Sequence, residues 1–152
     1  MLFIVNPISG HGRKKRIISH LVDAGYKVVC TEYAGHAEQL AREASEQVVV
    51  AVGGDGTVNE VARGLFGTGK TLGIIPCGSG DGLARHLGIS HYFNRALDTI
   101  LKGKVSQLDA GTINDRMFFS VCGVGFDAVV SERFAKCGHR GLTTYISEGR
   151  FF

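Results

Sequence analysis

The feature that most constrains the fold of this 152-residue chain is a short apolar run leading into a glycine-rich segment. Residues 48–52 read Val-Val-Val-Ala-Val and are apolar on both faces, which is typical of a central strand in a parallel sheet. Residues 53–57, Gly-Gly-Asp-Gly-Thr, follow and lead into a helical pattern. Glycines let backbone N–H groups approach an anion, and a helix N-terminus adds about half a positive charge. The sequence therefore predicts an anion-binding loop, with a plain tight turn as the alternative.

Asp55 does not suit a simple anion site. Its carboxylate would repel a phosphate unless a cation bridges the two groups or the carboxylate handles a proton. In a plain turn it would only help to cap the helix. Thr57 stands three residues before Glu60, the spacing of a capping box, so the helix is predicted to begin near Thr57.

The rest of the chain alternates between strand-like and helical segments. Strands are predicted at residues 2–5, 27–31, 48–52 and 72–75, with a hairpin in residues 105–121 that turns at Asn114-Asp115. Helices are predicted at about residues 13–24, 37–44, 57–64, 83–87, 92–101 and from 128 onward. This alternation predicts an α/β fold, a three-layer α/β/α sandwich with a mainly parallel sheet.

Two further loops repeat the glycine-rich pattern after a strand. Residues 6–12 follow the first strand, and residues 77–82 follow the fourth. Parallel strands end at one edge of the sheet, where ligands of such folds bind. The Ser79 hydroxyl and the Asp81 carboxylate would then lie near residues 53–57. Three such loops at one edge indicate a binding site rather than three unrelated turns.

Composition narrows the class of protein. The 22 glycines are about twice the number expected at the usual frequency of roughly 7%. The net charge of +3 is too small to argue for a nucleic-acid partner, and no apolar run approaches the roughly 18 residues of a membrane span. A strand-like run starts at residue 2 with no basic stretch before it, so a signal peptide is not expected.

The cysteines and histidines show no metal-ligand spacing. We predict that the cysteines are reduced core residues of a cytosolic protein: Cys30, Cys77, Cys122 and Cys137. Three histidines are predicted to lie on helix surfaces: His20, His86 and His91.

Several motifs together resemble the diacylglycerol kinase catalytic domain, a family that includes bacterial lipid kinases and the sphingosine and ceramide kinases. The matching segments, in order across roughly residues 2 to 130, are Asn6-Pro7 with Ser9-Gly10, residues 35–37 (Gly-His-Ala) preceded by Thr31, residues 53–61, and residues 73–76 with Gly78-Ser79. The Gly-Asp-Gly-Thr loop is shared with NAD kinases, whereas the following Asn-Glu-Val and the Gly-Ser loop favour the lipid kinases. The resemblance implies the fold of the NAD kinase and diacylglycerol kinase N-terminal domain.

The resemblance also implies roles for single residues. ATP would be contacted by Asn6, Pro7, Ser9, Gly10, Thr31, Gly54, Asp55, Gly56, Thr57, Val58, Asn59, Glu60 and Ser79. Asp55 would organise Mg²⁺ or act on the acceptor hydroxyl, and Asp81 and Asp127 would lie on the substrate side. The family's Thr-x-Asn-Asp is here Ser-Gly-Asp-Gly at residues 79–82, which weakens the transfer of its metal network to this loop.

By the same resemblance, the expected activity is transfer of the ATP γ-phosphoryl group to a lipid hydroxyl at a membrane surface, in the cytoplasm or at the inner membrane face. Relatives continue into a β-rich second lobe, which residues 1–152 are expected to lack, so that lobe or a second copy of the chain would complete the acceptor side. The alternatives are an ATP-binding module without catalysis and an NAD kinase-like enzyme.

Three other patterns compete with these predictions. Residues 64–71 satisfy the Walker A pattern, but a helix precedes them and a strand follows, so Lys70 would lie at the wrong edge of the sheet. Residues 123–128 fit a loose dinucleotide fingerprint, with little chain left for the rest of that fold. The basic residues 11–16 suit either a solvated helix start or contact with phosphates or an anionic membrane surface.

Overall fold

The computed structural model describes residues 1–8 and 14–119, and these form a parallel sheet with helices on both faces. The strands are β1 (Leu2–Val5), β2 (Lys27–Cys30), β3 (Val48–Gly53) and β4 (Thr71–Pro76), in the order β2-β1-β3-β4 with every pairing parallel. The helices are α1 (Lys14–Asp23), α2 (His36–Glu43), α3 (Asp55–Leu65), α4 (Gly82–His86) and α5 (Phe93–Lys102). Strand β3 lies between two neighbours and is buried, as its apolar run predicts.

The side chains of the strands divide between two cores. In β1, Leu2 and Ile4 pack with α2 and α3, whereas Phe3 and Val5 pack with α1 and α5. This division follows from the alternation of side chains along a strand. Burial of both sheet faces confirms the predicted three-layer α/β/α arrangement.

Helix α3 begins earlier than the sequence suggests, and the predicted capping box is wrong. Gly54 occupies the cap position in an extended conformation, and no side chain caps the helix. Thr57 instead accepts a hydrogen bond from the Asn6 side chain, and Glu60 accepts one from the Ala37 N–H. Both side chains therefore join α3 to other parts of the chain instead of capping the helix.

The predicted hairpin is present but shorter than expected. Strands β5 (Gly111–Ile113) and β6 (Arg116–Phe118) pair antiparallel. Asn114 and Asp115 have φ of 47° and 60°, the positive values that a two-residue turn of the I′ type requires. The predicted final helix from residue 128 lies outside the described residues.

Two predictions about cysteine and histidine are wrong. Cys30 is exposed rather than in the core, because it ends the edge strand β2. Cys77 is half-buried, while Cys122 and Cys137 lie outside the described residues. His91 lies in the connection between α4 and α5 rather than on a helix surface. Its ring faces a buried carboxylate, and this long-range contact holds it there.

Candidate functional site

The three predicted loops meet at the carboxyl edge of the sheet. The Asn6 N–H donates to the Val52 carbonyl oxygen at 3.1 Å, and the Cys77 N–H donates to the Gly53 carbonyl oxygen at 2.8 Å. These bonds extend the pairing of β1, β3 and β4 beyond the strands themselves. On the other side of β1, the N–H of the buried Thr31 donates to the Val5 carbonyl oxygen. The fold therefore gathers the described part of the predicted site at one edge.

Asn6 fastens the first loop to helix α3. Its Nδ2 donates to Thr57 Oγ1 at 3.2 Å, and its Oδ1 accepts from the Ile8 N–H at 3.0 Å. The second bond is an Asx turn, which a short amide side chain forms readily. Pro7 is exposed in this turn. Ser9 and Gly10, predicted to contact ATP, lie outside the described residues.

The second and third loops touch through glycine backbones. A β-carbon at Gly78 would lie 2.7 Å from the Gly54 Cα and 2.6 Å from Asp81 Oδ1. A β-carbon at Gly53 would lie 2.6 Å from the Thr57 Cβ. No side chain fits at these distances, so the excess of glycine noted in the sequence here serves close packing of loops. Four glycines, which we call the glycine surface, therefore lie at the N-terminus of α3: Gly54, Gly56, Gly78 and Gly80.

Asp55 lies beside this surface, and its side chain is exposed to solvent. It is the first residue of α3, in a position that the helix dipole favours for a carboxylate. A β-carbon at Gly80 would lie 3.0 Å from Asp55 Oδ2, so the third loop passes directly beside the carboxylate. Exposed Ser79 belongs to the same loop. The predicted neighbours Asp55 and Ser79 therefore lie on adjacent loops of one edge.

Asp81 turns its carboxylate inward. It is 2% exposed, has a left-handed φ of 50°, and accepts the Gly78 N–H at Oδ1 (2.9 Å) and Oδ2 (3.1 Å). Burial raises the pKa of this carboxyl group, and the negative charge of Asp55 adds to the rise. The Gly78 hydrogen bond, His91 and Arg85 oppose the rise. The oxygens that would face a substrate are thus engaged within their own loop.

Helix α3 carries the remaining predicted ATP contacts. The side chain of Val58 lies in the core, and Gly56 is exposed. Asn59 Oδ1 is buried without a hydrogen-bond partner among the described residues, which normally costs free energy. An unsatisfied acceptor one turn beyond Asp55 is consistent with a bound donor that completes it. Glu60 Oε2 is engaged with the α2 N-terminus.

Lys14 is a buried charge at this edge that the sequence predictions did not single out. It is 4% exposed at the start of α1, although it belongs to the basic stretch for which a solvated helix start was one interpretation. Burial lowers the pKa of its ammonium group, and nearby Cys77, Cys30 and Asp81 oppose that shift. Lys14, Ile17 and Leu21 share the buried face of α1, so helical periodicity could have identified this lysine.

The side chains of the candidate site fit a magnesium ion only if a bound phosphate supplies some of its ligands. Among the described residues, no three His, Cys, Asp or Glu side chains cluster as a metal site. Mg²⁺ is often bound by one or two carboxylates together with substrate phosphates. The exposed Asp55 carboxylate beside the glycine surface fits that arrangement, with phosphate oxygens supplying other ligands.

The Walker A pattern is a coincidence of sequence. Gly64 lies in α3 and Lys70 directly precedes β4, at the amino edge of the sheet. The Lys70 ammonium donates to the Ala44 carbonyl oxygen rather than facing the glycine loops. The competing fingerprint at residues 123–128, together with Asp127, lies outside the described residues.

Parallel α/β sheets bind their ligands at the carboxyl edge of the strands, and the glycine-rich loops of this chain meet at that edge. The sequence profile of the diacylglycerol kinase catalytic domain matches residues 1–113, and the chain belongs to this family of lipid kinases. The fold is accordingly that of the N-terminal domain of these kinases.

Named relatives and a solved structure agree with this assignment. A diacylglycerol kinase of Bacillus subtilis (strain 168) is 36% identical over 134 residues, covering 80% of this chain and 44% of the relative. Sphingoid long-chain bases kinase 1 of Arabidopsis thaliana is 35% identical over 164 residues, covering 90% of this chain and 21% of the relative. The crystal structure of a diacylglycerol kinase from Bacillus anthracis str. Sterne has a TM-score of 0.69 and 31% identity, covering 77% of this chain and 44% of that one. The chain thus spans less than half the length of these relatives.

Proposed function

We propose that this chain forms the ATP-binding part of a lipid kinase, which transfers the γ-phosphoryl group of ATP to a lipid hydroxyl. The observation that carries the proposal is the contact between Gly54 and Gly78, which places the backbones of the two loops beside the exposed Asp55 carboxylate. Relatives named as diacylglycerol kinase and sphingoid base kinase support the reaction class.

In the proposed reaction, the bond between the γ-phosphorus and its bridging oxygen breaks as the acceptor oxygen attacks in line. Backbone N–H groups at the start of α3 hold phosphate oxygens, and the glycine surface permits their close approach. Asp55 would receive the proton of the acceptor hydroxyl, or it would hold Mg²⁺. When bound, Mg²⁺ neutralises charge on the phosphates.

The acceptor side of the proposed enzyme lies largely beyond the described residues. Asp127 is proposed to contact the lipid head group there, together with a second lobe or a second copy of the chain. No helix among residues 1–8 and 14–119 is long and apolar enough to cross a membrane. Because the proposed acceptor is a lipid, we propose separately that the chain meets it at the cytoplasmic surface of a membrane.

Two measurements test the proposal. Titration calorimetry with ATP, in the presence and absence of Mg²⁺, tests nucleotide binding, and radiolabelled transfer tests the acceptors diacylglycerol, a sphingoid base and NAD. Binding with label in a lipid supports the proposal. Binding without transfer to any acceptor supports a nucleotide-binding module instead, and label in NAD alone supports an NAD kinase-like enzyme. Absence of ATP binding contradicts all three.

The replacement Asp55→Asn is expected to reduce turnover about 10²-fold or more while leaving the fold intact, because an amide neither accepts the proton nor holds the metal comparably. The measurement is the initial rate of radiolabel transfer to lipid at saturating ATP. Asp98→Asn is the control, since Asp98 is an exposed carboxylate on α5 paired with Lys102. Turnover of Asp55→Asn close to that of Asp98→Asn would refute the assignment.

A further inference from the structure

His91 lies beside the most buried carboxylate of the candidate site. Its Nδ1 is 3.4 Å from Asp81 Oδ2, and the Asp81 side chain is 1% exposed while that of His91 is 44% exposed. A buried carboxylate without a cationic partner is costly. In the described part of the chain, His91 is the cationic side chain within ion-pairing distance of Asp81. The His91 imidazole thus lies between solvent and the buried Asp81 carboxylate.

Other charges act on Asp81 from three helices at longer range. Asp55 of α3 opposes ionisation of Asp81, whereas Arg85 of α4 and Lys14 of α1 favour it. His91, in the connection between α4 and α5, is the histidine of this set, and histidine is the side-chain type that most often acts as a charge switch near neutral pH. The electrostatic balance at Asp81 therefore depends on the protonation of His91.

The Asp81 carboxylate is hydrogen-bonded to the part of the third loop that packs against Gly54. Both carboxylate oxygens hold the Gly78 N–H, and Gly78 packs against Gly54 with no room for a side chain between them. Two residues further on, Gly80 passes the Asp55 carboxylate. A weaker hydrogen bond between Asp81 and the Gly78 N–H would thus change the position of the third loop relative to Gly54 and Asp55.

We propose that protonated His91 is a positioning residue for the nucleotide loop, which fixes the Asp81 carboxylate on the Gly78 N–H and so keeps residues 77–82 against Gly54. The inference rests on the proposed binding of ATP at this edge. His91 itself touches neither nucleotide nor acceptor. Loss of its proton weakens the hold on the loop and lowers nucleotide affinity.

The test compares Mg²⁺·ATP affinity at pH 6 and pH 8 by calorimetry in four proteins: the unaltered chain, His91→Lys, His91→Gln and His86→Gln. His91→Lys keeps a positive charge at both pH values. Because ATP itself titrates equally for every protein, the ratio of affinities between the unaltered chain and His91→Lys at each pH reports only on residue 91. His86 is an exposed histidine at the end of α4, and its replacement is the matched control.

At pH 6 the unaltered chain and His91→Lys are expected to bind ATP alike. At pH 8 the unaltered chain is expected to fall about two- to five-fold below His91→Lys and to approach His91→Gln, the size expected of a partly exposed ion pair. His86→Gln should follow the unaltered chain at both pH values. A ratio between the unaltered chain and His91→Lys that does not change with pH, or an equal effect in His86→Gln, overturns the inference.

A second measurement does not require nucleotide. The amide NMR signal of Gly78, the donor to Asp81, is followed from pH 5 to 8; a step in its shift is expected in the unaltered chain and should be lost in His91→Gln. If the chain bound no ATP, the proposed function would fail while this titration still decided the link between His91 and the loop. Absence of the step in the unaltered chain would overturn the link directly, and dispersed spectra of both proteins would show that the variant is folded.

Discussion

At the scale of single residues, Gly78 shows how strongly the candidate site depends on the absence of a side chain. Its Cα faces the Gly54 Cα across two loops, and its N–H is the donor to both Asp81 oxygens. A β-carbon here would meet backbone atoms, which cannot rotate away. Gly80, two residues later, faces only the end of the Asp55 side chain, which can move.

Gly78→Ala is expected to lower the free energy of unfolding by about 1–3 kcal/mol, the usual cost of overpacking, and to reduce ATP affinity by separating the loops. Gly80→Ala is the matched control, with an expected change in the free energy of unfolding within about 0.5 kcal/mol. Urea unfolding measures the free energy of unfolding of the two variants. Equal stability of the two variants would contradict the close packing described between Gly78 and Gly54.

At the scale of elements, the packing of α2 against α3 depends on Gly64. A β-carbon at Gly64 would meet the carbonyl oxygen of Glu38 and lie 2.8 Å from the Ala41 Cβ. Helices can approach this closely only where one of them lacks a side chain. The same pair of helices is joined by the hydrogen bond from the Ala37 N–H to Glu60 and by the ion pair between Arg63 and Glu38.

Gly64→Ala is expected to destabilise the fold by at least about 1 kcal/mol, because the steric cost exceeds the gain of about 1 kcal/mol that alanine brings to a helix interior. Gly56→Ala is the control within the same helix: nothing lies within 4 Å of its β-carbon position, so this variant should be neutral or more stable. The comparison is made by thermal and urea unfolding. Destabilisation of both variants alike would show that helix-helix distance is not the cause.

The elements themselves were largely predictable from sequence, whereas their long-range contacts were not. Every strand of the parallel sheet lies within about one residue of its apolar run, and burial on both faces leaves a local signature in β1 and β3. The start of α3 was misplaced because Thr57 and Glu60 match a local capping pattern but bond to distant partners. The pairing of His91 with Asp81 also has no local signature, since they lie ten positions apart in sequence with helix α4 between them.

At the scale of the whole molecule, the carboxyl edge concentrates charges that folding must remove from water. Asp81 and Lys14 are both nearly fully buried, and burial is the largest cause of the pKa shift of each. Such groups cost free energy of folding, whereas the two apolar cores on either face of the sheet supply it. Departures from an apolar interior are expected where a protein binds its ligand. The stability of the domain should therefore carry a pH dependence that originates at the site.

The direction of that dependence follows from Asp81. Its pKa in the folded chain is raised above the usual value of 3.8, so between these two values the folded chain binds more protons than the unfolded chain. The contribution of Asp81 to stability is therefore fully present below pH 3.8 and is lost as pH rises through the folded pKa. Asp81→Asn removes this loss, so its stability relative to the unaltered chain should increase with pH across that window, by at most about 1.4 kcal/mol per pH unit, and then level off. Urea unfolding at half-unit steps from pH 3.5 to 7 measures the difference, and Asp98→Asn, at an exposed site, should show no such increase. A difference that falls with rising pH would mean that the Gly78 hydrogen bond and His91 outweigh burial at Asp81.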